Sequence, residues 1–342
     1  MRRTLQGIAV LALMTFLPWL TPGAAESADK LVLGMPVKPP NMVHVPVFYA
    51  LDKGLFKKNG LEVEIKFFRG GGATHRAAVS AQSDLDVSWV PAPLAMSGIA
   101  GGSGLKIFHS MAFKNEAQVA AKPGVSSPAG LRGLTIGIED RGGYSHLGAL
   151  AILGSAGLKD EDVKYIKTPP PARVPYLIGG KADAVVIHVE QVFLAQKQQP
   201  GVSSLGDIWK VMPDYLYGVF IAPEAKLESR RGAYVRFAAA MMESNRAVYT
   251  DKPGYMKVAK KWIGPAYEEH PDIVDKTYEV FVKERIWAVN GGLPKASVEW
   301  TNNFNAKLKK YRGVPPTYEQ LVDERIGKEA LAKVGEVQPA EK

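Results

Sequence analysis

The chain has 342 residues, a net charge of +9 and no cysteine. It therefore carries no disulfide, no thiolate metal site and no cysteine nucleophile, and its length suffices for two compact domains with ordinary cores. Its lysines are scattered in short pairs such as Lys57-Lys58, Lys260-Lys261 and Lys309-Lys310, which reads as solvated faces and argues against a nucleic-acid partner. A positive field of this kind still helps attract an anionic small molecule.

The first segment reads MRRTLQGIAVLALMTFLPWLTPGAAESADK. Arg2 and Arg3 precede an apolar stretch over 8–20 that Pro18 interrupts, and Gly23-Ala24-Ala25 supplies small residues for cleavage. This is the pattern of a secretory signal peptide over 1–25, cut after Ala25, and it is too short and broken for a membrane span. With no cysteine to carry a lipid at the cleavage site, the mature protein is expected to be exported, free and soluble, its charge lowered from +9 to +7 by the loss of Arg2 and Arg3.

The elements then follow in order. A strand is expected over 31–35, and a helix from near Val45 to Gly54. Gly54 and Gly60 are suited to the positive φ of a helix end or turn. Residues 61–67 alternate strictly, Leu61, Val63, Ile65 and Phe67 against Glu62, Glu64 and Lys66, as in a strand with one buried face near a sheet edge. The run Arg69-Gly70-Gly71-Gly72 leaves backbone amides bare before a helix over 73–82. A strand over 85–89, a helix over 91–100 and a strand over 105–109 complete this half.

The second half repeats the order: a strand over 134–138, a helix ending near Gly157, a strand over 163–167, a helix to Gly180, and a strand over 184–188 before another helix. "SDLDVSWVPAPLAMS" lies over "KADAVVIHVEQVFLA" when Asp86 is set against Asp183. Two similar βαβαβ halves follow, with the loops after their parallel strands facing one crevice. Beyond Glu224 the chain is mostly helical, with apolar spacing over 234–250, 255–263 and 272–285.

The stretches "PVFYALDKGLFKKNGLEVEIKFFRGGG", "LDVSWVPAPLAMSGIAGGSGLKIF", "LRGLTIGIEDRGGYSHLGALAILGSAGLKDEDVKYI" and "ARVPYLIGGKADAVVIHVEQVFLA" span most of 46–195. They resemble periplasmic substrate-binding proteins of ABC importers, in the branch for sulfonates, nitrate, taurine and thiamine-pyrimidine precursors. The resemblance implies an α/β, two-lobed type II binding-protein fold, each lobe a mostly parallel sheet flanked by helices, with a solute held between the lobes. It implies chain crossings near 112–121 and 217–222, so that 30–115 and 223–342 form one lobe and 116–222 the other. It also implies a small, often anionic solute, a membrane permease as partner, a monomer and no cofactor; enzymes share the fold, but their motifs depend on cysteine and none occurs here, so catalysis is not expected.

Candidate ligand-binding residues follow from their places in this plan. In the first lobe they are Asn41, His44, Trp89 and Pro91, with Trp89 either stacking on a flat ligand or filling the core. In the second lobe they are Arg141, Gly142, Gly143, Tyr144 and Ser145, where glycines, a helix start and a guanidinium converge as for an anion. The alternative for Arg141 is an exposed arginine balancing Glu139 or Asp140. His188 and Glu190 stand where Pro91 and Pro93 stand in the first half; either binds ligand or merely caps a helix. The glycine run at 70–72 is a second seat for an anion or simply a turn. No Gly-x-Ser-x-Gly elbow, His-Glu-x-x-His pair or Walker loop occurs, and the six histidines are dispersed, so no metal site is expected. A sensory receptor remains a second reading and an enzyme on the same fold a third.

Overall fold

The computed structural model describes residues 28–338; the signal peptide read over 1–25 lies outside them. Among the described residues no helix is long and apolar enough to cross a membrane.

Among the described residues ten strands form two five-stranded sheets. The first contains β1 (Asp29–Met35), β2 (Leu61–Phe67), β3 (Val87–Pro91), β4 (Leu105–Ala112) and β10 (Gly218–Pro223), in the order β2-β1-β3-β10-β4. The second contains β5 (Ala117–Ala121), β6 (Thr135–Ile138), β7 (Lys164–Lys167), β8 (Ala184–His188) and β9 (Ser203–Asp207), in the order β7-β6-β8-β5-β9. The chain passes to the second sheet between β4 and β5 and returns between β9 and β10. The return lies ahead of the expected boundary at 222, because β10 pairs antiparallel with both β3 and β4 and so belongs wholly to the first sheet.

The alternating strand β2 sits at the edge of its sheet, paired parallel to β1 alone, with Leu61 and Val63 inward and Glu62 and Glu64 exposed. Strands β3 and β8 lie inside their sheets and are buried on both faces, which is why their sequences, VSWVP and AVVIH, are mostly apolar and do not alternate. Each sheet is pinned in the same way. Asp86 just ahead of β3 accepts the Val32 N–H of β1 at 2.9 Å, and Asp183 just ahead of β8 accepts the Thr135 N–H of β6 at 2.8 Å. The aspartates aligned in the sequence repeat thus do one job in two places.

Helices cover the sheets, among them Val45–Asp52, Gly71–Ala78 and Ala92–Ala100 in the first half and Tyr144–Ser155 and Val189–Gln198 in the second. The C-terminal helices are Arg231–Thr250, Lys252–Trp262, Pro271–Lys283, Lys295–Lys307 and Glu324–Val334. They pack mainly on the first sheet, where Phe237 of Arg231–Thr250 meets Phe56, Phe108 and Phe220. The last two of these helices, and strand β9, are absent from the reading by periodicity. Lys295–Lys307 buries polar Thr301, Asn302 and Asn305, which hides its inner face from an apolar count.

Candidate functional site

The loops after the parallel strands of both sheets meet at one cleft. Its cavity is lined by Pro36, Asn41, His44, Gly70, Gly71, Trp89 and Pro91 from the first half, by Glu139, Tyr144, Pro170, Arg173 and His188 from the second, and by Tyr217 at the return crossing. The free space is about 20 Å³, room for about one water, so any larger solute requires the walls to part.

The charged centre is a pair from the second half. Arg173, 3% exposed at the start of helix Arg173–Ile178, donates from Nη2 to Glu139 Oε2 at 2.6 Å. Its guanidinium lies over the Tyr144 ring at 5.6 Å, and its Nη1 is buried with no hydrogen-bond partner among the described residues. The other oxygen of Glu139, Oε1, crosses the cleft and accepts the Gly71 N–H of the first half at 3.1 Å. A Cβ at Gly70, whose φ is +100°, would stand 2.3 Å from that oxygen. The glycine run therefore does hold an anion, and the anion is the protein's own carboxylate at a helix start.

Trp89 in the middle of β3 closes the opposite wall. It is 2% exposed, edge-on to His44 at 4.6 Å and to Tyr217 at 5.5 Å, and its Nε1 has no partner. Both nitrogens of His44 are also buried and unpartnered. Burial holds the His44 imidazole well below its usual pKa, with His188 adding to the effect, so it is neutral and offers one donor and one acceptor.

Behind the cavity lies a fully buried chain. Glu116, in the crossing between β4 and β5, meets His188 Nδ1 at 2.6 Å, and His188 Nε2 lies 3.4 Å from the Tyr144 hydroxyl. Burial raises Glu116 to about 8 and lowers His188 to about 4. Burial thus favours the neutral form of each partner. Glu190 Oε1 accepts the Met42 N–H across the cleft at 3.3 Å, and burial raises its pKa to about 7.

Of the residues singled out from sequence, Asn41, His44, Trp89, Pro91, Tyr144 and His188 line the cavity. Arg141, Gly142, Gly143, Ser145 and Glu190 do not. Arg141 points outward, pairing with Asp160 at 3.0 Å and lying over the Tyr165 ring at 4.7 Å. Gly142 takes φ +71° and gives its N–H to His146 Nδ1; a Cβ there would overlap the Lys310 side chain, so this glycine makes room for a lysine. Ser145 turns its Oγ inward to accept the Glu139 N–H. Glu190 lies behind the lining as an interlobe clasp. Arg141, where an anion was expected, thus lies outside the cavity, and the guanidinium that lines it is that of Arg173, which sequence reading passed over. Its signal was faint: an arginine after Pro169-Pro170-Pro171, opening a helix after β7 as Gly71 does after β2.

Residues 41–252 match the NMT1/THI5-like family, and the chain belongs to it. A binding protein of Brucella abortus strain 2308 is 27% identical over 201 residues, which are 57% of this chain and 60% of that one. The match thus spans less than two thirds of that relative. Among solved structures, the periplasmic nitrate-binding protein NrtA of Synechocystis PCC 6803 superposes with TM-score 0.74 at 14% identity, covering 90% of this chain and 89% of that one. The alkanesulfonate-binding protein SsuA of Xanthomonas axonopodis pv. citri gives 0.70 at 14% identity, over 87% and 99%. The desulfurization enzyme DSZB gives 0.63 at 14% identity, over 89% and 99%. These likenesses establish the fold, that of two-lobed binding proteins.

Proposed function

We propose that this chain is the solute-binding component of an ABC-type importer, capturing one small organic solute between its two lobes in the periplasm and passing it unchanged to a membrane permease. The observation that carries the reading is the cleft itself. Walls from both sheets converge on buried donors without partners, namely Arg173 Nη1, Trp89 Nε1 and one nitrogen of His44. Such groups are costly to bury unmatched and are ready to receive an acceptor-rich head group. The rings of Trp89 and Tyr217 and the faces of Pro36 and Pro91 would hold the rest of the solute.

The two crossings supply the motion. With so little free space, solute enters when the lobes swing apart about the segments between β4 and β5 and between β9 and β10, and closure returns Glu139 to Gly71. The likeness to nitrate- and sulfonate-binding proteins supports the small, often anionic, solute class. An enzyme on the same fold, the third reading from sequence, gains from the likeness to DSZB; against it stands the absence of cysteine and of a recognisable catalytic motif.

A thermal-shift screen of the purified mature chain against sulfonates, aliphatic and aromatic carboxylates, nitrate and pyrimidines tests the reading. A true ligand at about 100 times its Kd should add about 2.7 kcal/mol of stability. No stabilisation across the panel would refute the proposed class of solute, and product in the bound fraction would establish the enzyme instead.

A further inference from the structure

We propose that Glu139 is a specificity-determining residue: its carboxylate takes the seat made by the Gly71 N–H and Arg173 Nη2, latches the two lobes together, and bars dianions from the cleft. The ligand half of this inference rests on the solute-receptor reading; the latch does not.

Three observations carry it. Glu139 is held at both oxygens, by Arg173 Nη2 at 2.6 Å within its own lobe and by Gly71 N–H at 3.1 Å across the cleft. The seat is fitted to it, since a methyl group at Gly70 would collide with Oε1 at 2.3 Å. Arg173, 3% exposed, keeps Nη1 unpartnered, and the residue lines the cavity.

The consequence is electrostatic. One carboxylate already offsets the single guanidinium of the cavity wall, so an incoming group meets one remaining Arg173 donor rather than an open cation. A neutral acceptor or a singly charged head is served by that donor together with Trp89 Nε1 and His44. A dianion such as sulfate would sit beside Glu139 in a water-poor site, where like charges repel far more strongly than in bulk water. Glu139 also ties closure to the binding site, because the guanidinium that would receive a ligand holds the carboxylate that reaches the opposite lobe. It acts as a positioning residue for Arg173 and as a filter on ligand charge.

The test uses the full mature chain and the variants Glu139→Gln and Glu139→Ala, with circular dichroism confirming that each folds. Small-angle scattering without added solute should show a larger radius of gyration in both variants than in wild type. Calorimetric titration should show sulfate binding at least tenfold more tightly to the variants than to wild type, a gain that dimethyl sulfone, an uncharged probe, does not share. Sulfate affinity that is unchanged or weaker in both variants would overturn the filter, and wild-type scattering in both would overturn the latch. If the variants expand but no small molecule binds wild type, the latch stands and the receptor reading falls. Should Glu139→Ala fail to fold, the near-isosteric Glu139→Gln decides alone.

Discussion

The two sheets have the same spatial order, the same antiparallel strand inserted fourth, and the same aspartate pinning the first strand of each half. At the cleft they differ. The first half lines the cavity with no formal charge: prolines, glycines, Asn41, a neutral His44 and Trp89. The second half supplies the ion pair Glu139–Arg173 and the buried His188 that meets Glu116. One scaffold thus serves twice, once as an apolar and aromatic wall and once as the charged wall. The backbone plan is fixed by burial and pairing, whereas loop chemistry varies freely on top of it.

The largest test of this division is Arg173→Met. It leaves Glu139 in a mostly buried place without its cation, and breaking such a pair costs about 3–5 kcal/mol, read as a lowered urea midpoint. Arg173→Lys should recover part of that loss, since it restores the charge but not the fork.

The neutral chain behind the charged wall predicts a pH dependence. Glu116 and Glu190, raised to about 8 and about 7, keep protons in the folded state that the unfolded chain has released. Their contribution to stability therefore falls as pH rises above the ordinary carboxylate pKa. Below about pH 6.5 this is opposed by His188, His44 and His109, whose lowered values act in the other direction. The net loss should appear between pH 6.5 and 8, about 2–3 kcal/mol at ~1.4 kcal/mol per unit, in denaturant titrations. Glu116→Gln should flatten most of it.

The shared pins offer a finer comparison. Asp86→Ala and Asp183→Ala should each destabilise by about 1–3 kcal/mol. Asp86 should cost more, because it also holds Lys226 at 2.8 Å and Arg230 at 3.1 Å, whereas Asp183 holds Lys122 alone among the paired cations. Equal losses would mean that those extra pairs contribute nothing. The smallest effect is expected for Arg141→Ala, an exposed pair with Asp160, worth about 0–1 kcal/mol and leaving ligand affinity within about twofold.

The doubling of the fold was legible in sequence because strand burial writes itself as apolar runs, and because Asp86 and Asp183 sit at matching places. Half of the cavity lining was legible too, since His44, Tyr144 and His188 stand at helix starts and Trp89 in a strand that leads into one. The ion pair was not. Glu139 and Arg173 are 34 positions apart, and nothing in either neighbourhood distinguishes a buried charge from an exposed one. Arg141 carried every local sign of an anion site, yet Asp160 nearby claims it; only the three-dimensional path of the loop decides between two arginines. The glycine run posed the same difficulty, since its partner Glu139 comes from the other half.

The most direct measurement is a crystal structure of the mature chain with the best-stabilising compound of the screen. The account predicts that compound between the sheets, with an acceptor atom about 3 Å from Arg173 Nη1 and its body against Trp89. A compound bound outside the cleft, or one in the cleft whose polar head contacts Arg141 and leaves Arg173 Nη1 unpaired, would contradict it.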